Sequence, residues 1–279
     1  MPELPEVQTV VDSLRPRLCG RCLEAPAHLR GDIVRPRGFD LAGAIAHRTI
    51  IGIERRAKRI VFTIDGGERF YIHLGMSGRL TVDPAAAPIL PHTHLIAAIA
   101  GTDQQLRLRE PRRFGGIFWL GRTMHDDPAL GPEPLTLRTK QLAERLARTT
   151  RAIKNALLDQ RLIAGLGNIY VDEALHAAGI HPLARANRLE PAQIARLNRA
   201  IKTTLRRAIR HRGSTLRDYV DAEGNRGAFQ NLHRVYARDG APCHVCKAPI
   251  ERIIVGGRST HFCPRCQKLK PQMNADQRR

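Results

Sequence analysis

Ile60-Val61-Phe62-Thr63-Ile64-Asp65-Gly66-Gly67-Glu68-Arg69-Phe70-Tyr71-Ile72-His73-Leu74 is the stretch whose reading decides the fold. Two runs rich in β-branched and aromatic residues flank Asp65-Gly66-Gly67, where glycine supplies the positive φ that a tight hairpin needs. The same texture continues outward from about residue 22 to 121, with further strands expected at 49–53, 79–82, 93–100, 105–108 and 116–120. Gly101-Thr102-Asp103 is a second hairpin signal. Many short strands with little helix predict an antiparallel sandwich or barrel. Ahead of it, Val7, Val10, Val11, Leu14 and Leu18 recur at helical spacing over 5–18, and Gly20 ends that helix. After a Pro/Gly-rich linker at 125–134 the period becomes helical, over 137–148, 151–159, 168–178 and 191–211.

The chain has 279 residues, of which 42% are hydrophobic, enough for a core, and two domains with a small appendage are expected. No apolar run approaches the roughly 20 residues of a membrane span. The acidic, Pro-rich start is unlike a secretory signal, so a cytosolic protein is expected. Net charge is +20, and it is uneven: 18 basic and 14 acidic residues in 1–131, but 28 and 12 in 132–279. Genomic base composition would explain 39 Arg against 7 Lys, but not the excess over acids. A polyanion partner, most simply nucleic acid, explains that excess. Eight basic residues and no acid lie between Ala195 and Arg217, an unmixed run that a merely solvated helix face would not favour.

Six cysteines in a cytosolic chain point to metal or redox use before disulfides. Cys243-x2-Cys246 and Cys263-x2-Cys266, with Gly256-Gly257 between them, have the spacing of one tetrahedral Zn²⁺ held by four thiolates across a β-hairpin. No open coordination position remains, so the zinc is structural. Cys19 and Cys22 have no second pair. They are expected to be semi-buried thiols at a helix-to-strand junction, with a redox role as the alternative. His92 and His94 would share one strand face, a weak metal signal. Gly165-Leu166-Gly167-Asn168 opens a helix whose start can bind phosphate. Pro2, once Met1 is removed, would carry a free secondary amine, and Glu3 and Glu6 beside it could move protons.

Five ordered segments resemble the bacterial formamidopyrimidine-DNA glycosylase family: Met1-Pro2-Glu3-Leu4-Pro5-Glu6-Val7, His73-Leu74-Gly75-Met76-Ser77-Gly78-Arg79, Pro111-Arg112-Arg113-Phe114-Gly115, the run from Gly165 to Glu173, and the four-cysteine module. The resemblance implies an α+β fold. An N-terminal antiparallel β-sandwich with flanking helices (1–131) is followed by a helix–two-turn–helix domain (132–236), then a β-hairpin zinc finger and tail (237–279). It implies a bifunctional glycosylase and AP lyase that excises 8-oxoguanine and ring-opened purines from duplex DNA.

By motif position, Pro2 is the nucleophile, Glu3 the acid–base residue, and Lys58 the lysine beside the damaged nucleotide's phosphates. Glu6 and Glu173 are supporting acids. Met76, Arg112 and Phe114 fill the gap left by the extruded base, and Asn168 and Arg258 bind phosphate. His73, His94 and Lys154 resemble further DNA contacts. Residues 213–230 resemble the loop that covers the extruded base. Gln8 and Glu110 depart from the family's usual Glu and Asp, and neither is expected to touch the chemistry. The partner is double-stranded DNA with damaged bases, the cofactor one Zn²⁺, and the protein a cytoplasmic, nucleoid-associated monomer. The alternatives are an endonuclease VIII-like glycosylase for oxidised pyrimidines and a non-catalytic zinc-ribbon DNA-binding protein.

Overall fold

The structure is a computed structural model and describes residues 1–122, 127 and 129–269. In chain order the elements are α1 (Leu4–Leu18), β1 (Cys22–Leu23), β2 (His28–Leu29), β3 (Val34–Arg35), α2 (Leu41–Ile45), β4 (Arg48–Arg56), β5 (Arg59–Ile64), β6 (Arg69–His73), β7 (Arg79–Pro84), β8 (Thr93–Ala98), β9 (Gln104–Arg109) and β10 (Gly116–Gly121). Then follow α3 (Thr139–Ala147), α4 (Ile153–Leu158), α5 (Asn168–Ala178), α6 (Pro191–Arg210), β11 (Glu251–Val255) and β12 (Arg258–Phe262).

The expected hairpin forms: β5 and β6 pair antiparallel, with Ile60 opposite Ile72 and Phe62 opposite Phe70. Period-2 alternation turns those four side chains to one face, where the two phenyl rings stack at 4.8 Å. One sheet runs β1-β4-β5-β6-β10-β3, the other β2-β8-β9-β7. Leu80, Leu95, Leu106 and Leu108 of the second sheet share a core with the first. Val7, Val10, Val11, Leu14 and Leu18 of α1 are fully buried in that core, each contributing about 1.5–3 kcal/mol by removal from water. The sandwich departs from the antiparallel expectation at one edge, where β10 and β3 run parallel, Ile117 beside Val34. Strand β3 arrives from β2 in the other sheet, so no hairpin dictates its direction.

Two compact units form: Met1–Asp127 with Ala208–Gln230, and Pro128–Arg207 with Asn231–Arg279. This division differs from the expected boundary after residue 131. Segment 208–230 returns to the first unit because it has partners there. Val82 N–H donates to the Ala222 carbonyl at 2.9 Å, Ala222 N–H to Ser13 Oγ at 3.1 Å, and Tyr219 Oη to the Glu6 carbonyl at 3.3 Å. Part of the expected linker (positions 125, 126 and 128) and the end of the expected tail (270–279) lie outside the described residues.

In the second unit, α5 starts as expected, straight after the glycine turn, and stops at Gly179, whose φ of 66° makes a left-handed cap. Helix α6 buries Ile194, Leu197, Ile201 and Leu205 and leaves Arg196, Arg199, Arg206 and Arg210 in solvent. Among the described residues, no helix is long and apolar enough to cross a membrane.

Candidate active site and nucleic-acid interface

The chain start is built into the first unit. Pro5 sits in the first turn of α1, where no N–H is needed, and Glu3 caps the helix. Pro2 and Glu3 are buried, while Met1 is half exposed. Glu6 holds the segment in place: Oε2 accepts the Glu3 N–H at 2.8 Å, and Oε1 accepts the Ser214 N–H at 2.7 Å. A Cβ on Gly213 would lie 2.6 Å from Oε1, and φ there is +74°, so only glycine allows this approach. Both Glu6 oxygens thus accept backbone N–H groups, which suits bracing better than proton transfer. Lys58, buried, occupies the two-residue turn between β4 and β5, which Ala57 enters at φ 55°.

Burial holds the Met1 amino group below the usual range for a chain terminus. Glu3 and Glu6 oppose that shift, and Lys58 and Arg112 add to it. His73, paired across the sheet with Arg59, accepts the Gly75 N–H on Nδ1 at 3.1 Å. Burial, then Lys58 and Arg59, lower its pKa to about 4, so the ring is neutral at pH 7. The structure therefore gathers Glu3, Glu6, Lys58 and Arg112 around the chain start, with His73 beside Lys58.

Two loops, 74–78 and 111–115, run in backbone contact. A Cβ on Gly115 would lie 2.2 Å from the His73 carbonyl oxygen, and one on Gly75 would lie 2.5 Å from the Gly115 nitrogen. Glycine at both places lets the loops touch and carry Met76 (42% exposed) and Phe114 (60% exposed) at the surface. The Arg112 guanidinium lies over the Phe114 ring, 5.0 Å from its centroid. Glu110, not expected to touch the chemistry, is buried beneath these loops. Its Oε1 accepts Ser77 Oγ–H at 2.7 Å and the Arg112 N–H at 3.2 Å. His94 is also buried. Its Nε2 lies 3.1 Å from the Glu110 carbonyl, a contact that braces the loop, and burial lowers its pKa. His92 does not share its face: φ of 68° at His92, just ahead of β8, breaks the strand alternation.

In the second unit a glycine turn leads into the start of α5. Gln160 pins the glycine turn, its Oε1 accepting the Gly165 N–H and its Nε2 donating to the Leu166 carbonyl, both at 2.9 Å. Asn168 opens α5 and donates Nδ2–H to the Ser259 carbonyl at 2.9 Å, while its Oδ1 is buried without a partner. Arg258 is exposed, immediately after the Gly256-Gly257 turn of the β11–β12 hairpin. A Cβ on Gly256 would lie 2.5 Å from Asn155 Oδ1, which fixes how closely that turn approaches α4.

Lys154, expected as a DNA contact, is fully buried, with Nζ 2.7 Å from Asp172 and 2.9 Å from the Ser259 carbonyl. It positions the hairpin that carries Arg258. Glu173 is likewise committed, accepting the N–H groups of Arg234, Val235 and Tyr236 at 2.9–3.0 Å.

The four zinc-ligand sulfurs lie within 4.8 Å of one another. Cys243 and Cys266 are 3.9 Å apart and Cys246 and Cys263 3.4 Å. Bonds of about 2.3 Å in a tetrahedron place sulfurs about 3.8 Å apart, so the residues fit one structural Zn²⁺. His176 of α5 holds Nε2 3.6 Å from Cys243 Sγ, the position of an outer partner that orients a ligand. Cys19 is exposed and Cys22 half-buried at the α1-to-β1 junction.

Sequence reasoning missed Glu110, Gln160, His176 and Tyr219 as supporting groups. Only Glu110 carried a local signal, its place next to Pro111-Arg112-Arg113-Phe114; the others act through partners distant in the chain.

Comparison with known proteins agrees over nearly the full chain. Residues 1–117 match the family model for the formamidopyrimidine-DNA glycosylase N-terminal domain, and 130–220 that for its H2TH domain. Residues 240–269 match the zinc finger found in FPG and IleRS. The formamidopyrimidine-DNA glycosylase of Chloroflexus aggregans is 46% identical over 274 residues, covering 96% of this chain and 99% of the relative. That of Geobacillus kaustophilus is 41% identical over 279 residues, covering 96% and 100%. Among solved structures, a Lactococcus lactis Fpg in complex with abasic-site DNA matches at 37% identity with a TM-score of 0.88, covering 96% of this chain and all of that one. The MutM (Fpg) protein of Thermus thermophilus matches at 38% with a TM-score of 0.86, covering 97% and 100%.

A β domain holding the buried chain start, a helix–two-turn–helix and a four-thiolate hairpin together define a zinc-finger DNA-repair glycosylase. The chain belongs to the formamidopyrimidine-DNA glycosylase family, whose members combine glycosylase and AP-lyase activity.

Proposed function

We propose that this protein excises 8-oxoguanine and formamidopyrimidines from duplex DNA through an N-terminal proline Schiff base and then cleaves the strand by β,δ-elimination. The observation that carries this reading is the chain start: Pro2 is buried beside Glu3, where burial lowers the pKa of the terminal amine. Removal of Met1 would leave the Pro2 nitrogen in these surroundings, with an unprotonated fraction at neutral pH.

The Pro2 nitrogen attacks C1′ as the bond from C1′ to the base breaks, and the proton lost from the attacking amine passes to the departing base. Glu3 protonates the ribose ring oxygen as the ring opens, giving an iminium between nitrogen and C1′. The iminium acidifies the 2′ hydrogens. Loss of one expels the 3′ phosphate, and a second elimination expels the 5′ phosphate, leaving a one-nucleotide gap. Lys58 grips the phosphates beside the lesion. Chemistry at C1′ requires an extruded nucleotide, and Met76, Arg112 and Phe114 offset the few kcal/mol of unstacking by occupying the gap. Asn168, Arg258 and the exposed arginines of α6 hold the backbone. Zinc supplies no chemistry; it folds the hairpin bearing Arg258. The protein acts as a cytoplasmic, nucleoid-associated monomer.

Excision of 8-oxoguanine opposite cytosine, compared with thymine glycol on a denaturing gel, tests the substrate class. Faster cleavage at 8-oxoguanine is expected. Preference for thymine glycol would favour the endonuclease VIII-like alternative, and salt-sensitive binding without cleavage a non-catalytic zinc-ribbon protein.

A further inference from the structure

Glu110 is 2% exposed and lies between β9 and Pro111. Its polar atoms reach both loops that carry the exposed apolar residues. Oε1 takes a hydrogen bond from Ser77 in loop 74–78 and another from the Arg112 backbone in loop 111–115. Its carbonyl oxygen receives His94 Nε2 at 3.1 Å and the Arg113 N–H at 3.3 Å, and its own N–H donates to the His92 carbonyl at 3.0 Å. The side chain passes directly under Gly75, where a Cβ would lie 2.3 Å from Oε2. Oε2 is buried without a hydrogen-bond partner. Leaving a buried oxygen without a partner is unfavourable, an arrangement kept where the other contacts of the group matter.

We infer that Glu110 is the positioning residue of the wedge: one carboxylate oxygen fixes the separation of Met76 from Arg112 and Phe114, so that the three enter the duplex as one unit. This rests on the reading of those residues as the gap filler. The carboxylate touches neither DNA nor the reacting atoms; it acts through Ser77 and the Arg112 backbone. Glutamine keeps the acceptor oxygen and changes only the side of the group that has no partner. Alanine removes both bonds.

The test uses the full zinc-loaded chain and duplexes with 2-aminopurine beside 8-oxoguanine, whose fluorescence rises when the wedge unstacks the neighbouring base. Glu110→Ala should lose most of that rise and slow single-turnover excision by about tenfold to a hundredfold, the loss of one to two such hydrogen bonds in the transition state. Its Kd for undamaged duplex should stay within twofold. Glu110→Gln should restore the rise and most of the rate. Ser77→Ala, which leaves Glu110 in place, should give a smaller loss and add nothing to Glu110→Ala. In the free protein, amide exchange in 74–78 and 111–115 should quicken together in Glu110→Ala. Wild-type fluorescence and exchange in a folded Glu110→Ala chain would overturn the inference, as would equal losses in Glu110→Gln. If the wild-type chain itself gives no rise while coupled exchange is seen, the gap-filler reading fails and the loop brace stands.

Discussion

Glu6 accepts the Ser214 backbone N–H at 2.7 Å, joining the first turn of α1 to a segment 208 positions downstream. Its other oxygen accepts the Glu3 N–H, so one carboxylate holds both the chain start and the base of the 213–230 segment. Glu6→Gln presents an amide NH2 to one of two buried N–H donors. We predict a loss of about 1–3 kcal/mol, read as a melting temperature lower by a few degrees, and faster amide exchange at Glu3 or Ser214. An unchanged exchange rate at both amides would remove Glu6 from this role.

Gly115→Ala should separate lesion recognition from grip. The new Cβ would meet the His73 carbonyl oxygen at 2.2 Å, so loop 111–115 must move away from loop 74–78. Excision of 8-oxoguanine should fall at least tenfold while binding to undamaged duplex changes little. Parallel losses in both assays would contradict the division of labour.

The strand hairpins, the α5 start and the four zinc ligands were legible in the sequence because each is encoded locally, by turn chemistry, a glycine pair or two-residue spacing. Lys154 was not. Its burial depends on Asp172 and Ser259, brought in by α5 and β12, and an isolated lysine codon carries no sign of either. The return of 208–230 to the first unit was equally hidden, since Tyr219 and Ala222 look like ordinary loop residues until Glu6, Ser13 and Val82 receive them. The expected pairing of His92 with His94 failed on one backbone angle.

Lys154→Met distinguishes a buried brace from a surface DNA contact. Removing one member of a fully buried ion pair leaves Asp172 without its lysine, only the His261 contacts remaining, at a cost of about 3–5 kcal/mol. The variant should melt well below wild type without DNA. A DNA-contact role would leave the melt unchanged and lower only the salt dependence of binding.

His73 sets a pH window. Its folded pKa, about 4, lies below the unfolded value near 6.5, so the unfolded chain binds the proton first as pH falls. The contribution is complete above pH 6.5 and is lost as pH falls from there through about 4. His73→Gln should flatten the fall in unfolding free energy across that window in urea titrations. An identical pH profile in the variant would show that the ring titrates alike in the folded and unfolded chain.

The central claim is that Pro2, freed of Met1, forms the covalent intermediate. Borohydride trapping on 8-oxoguanine duplex tests it most directly, with chain lacking Met1 compared against chain retaining it. The account predicts a denaturant-stable protein–DNA adduct for the processed chain, mapped by mass to the Pro2 peptide, and none for the unprocessed chain. Excision without any trapped adduct, or an equal adduct with Met1 retained, would contradict it.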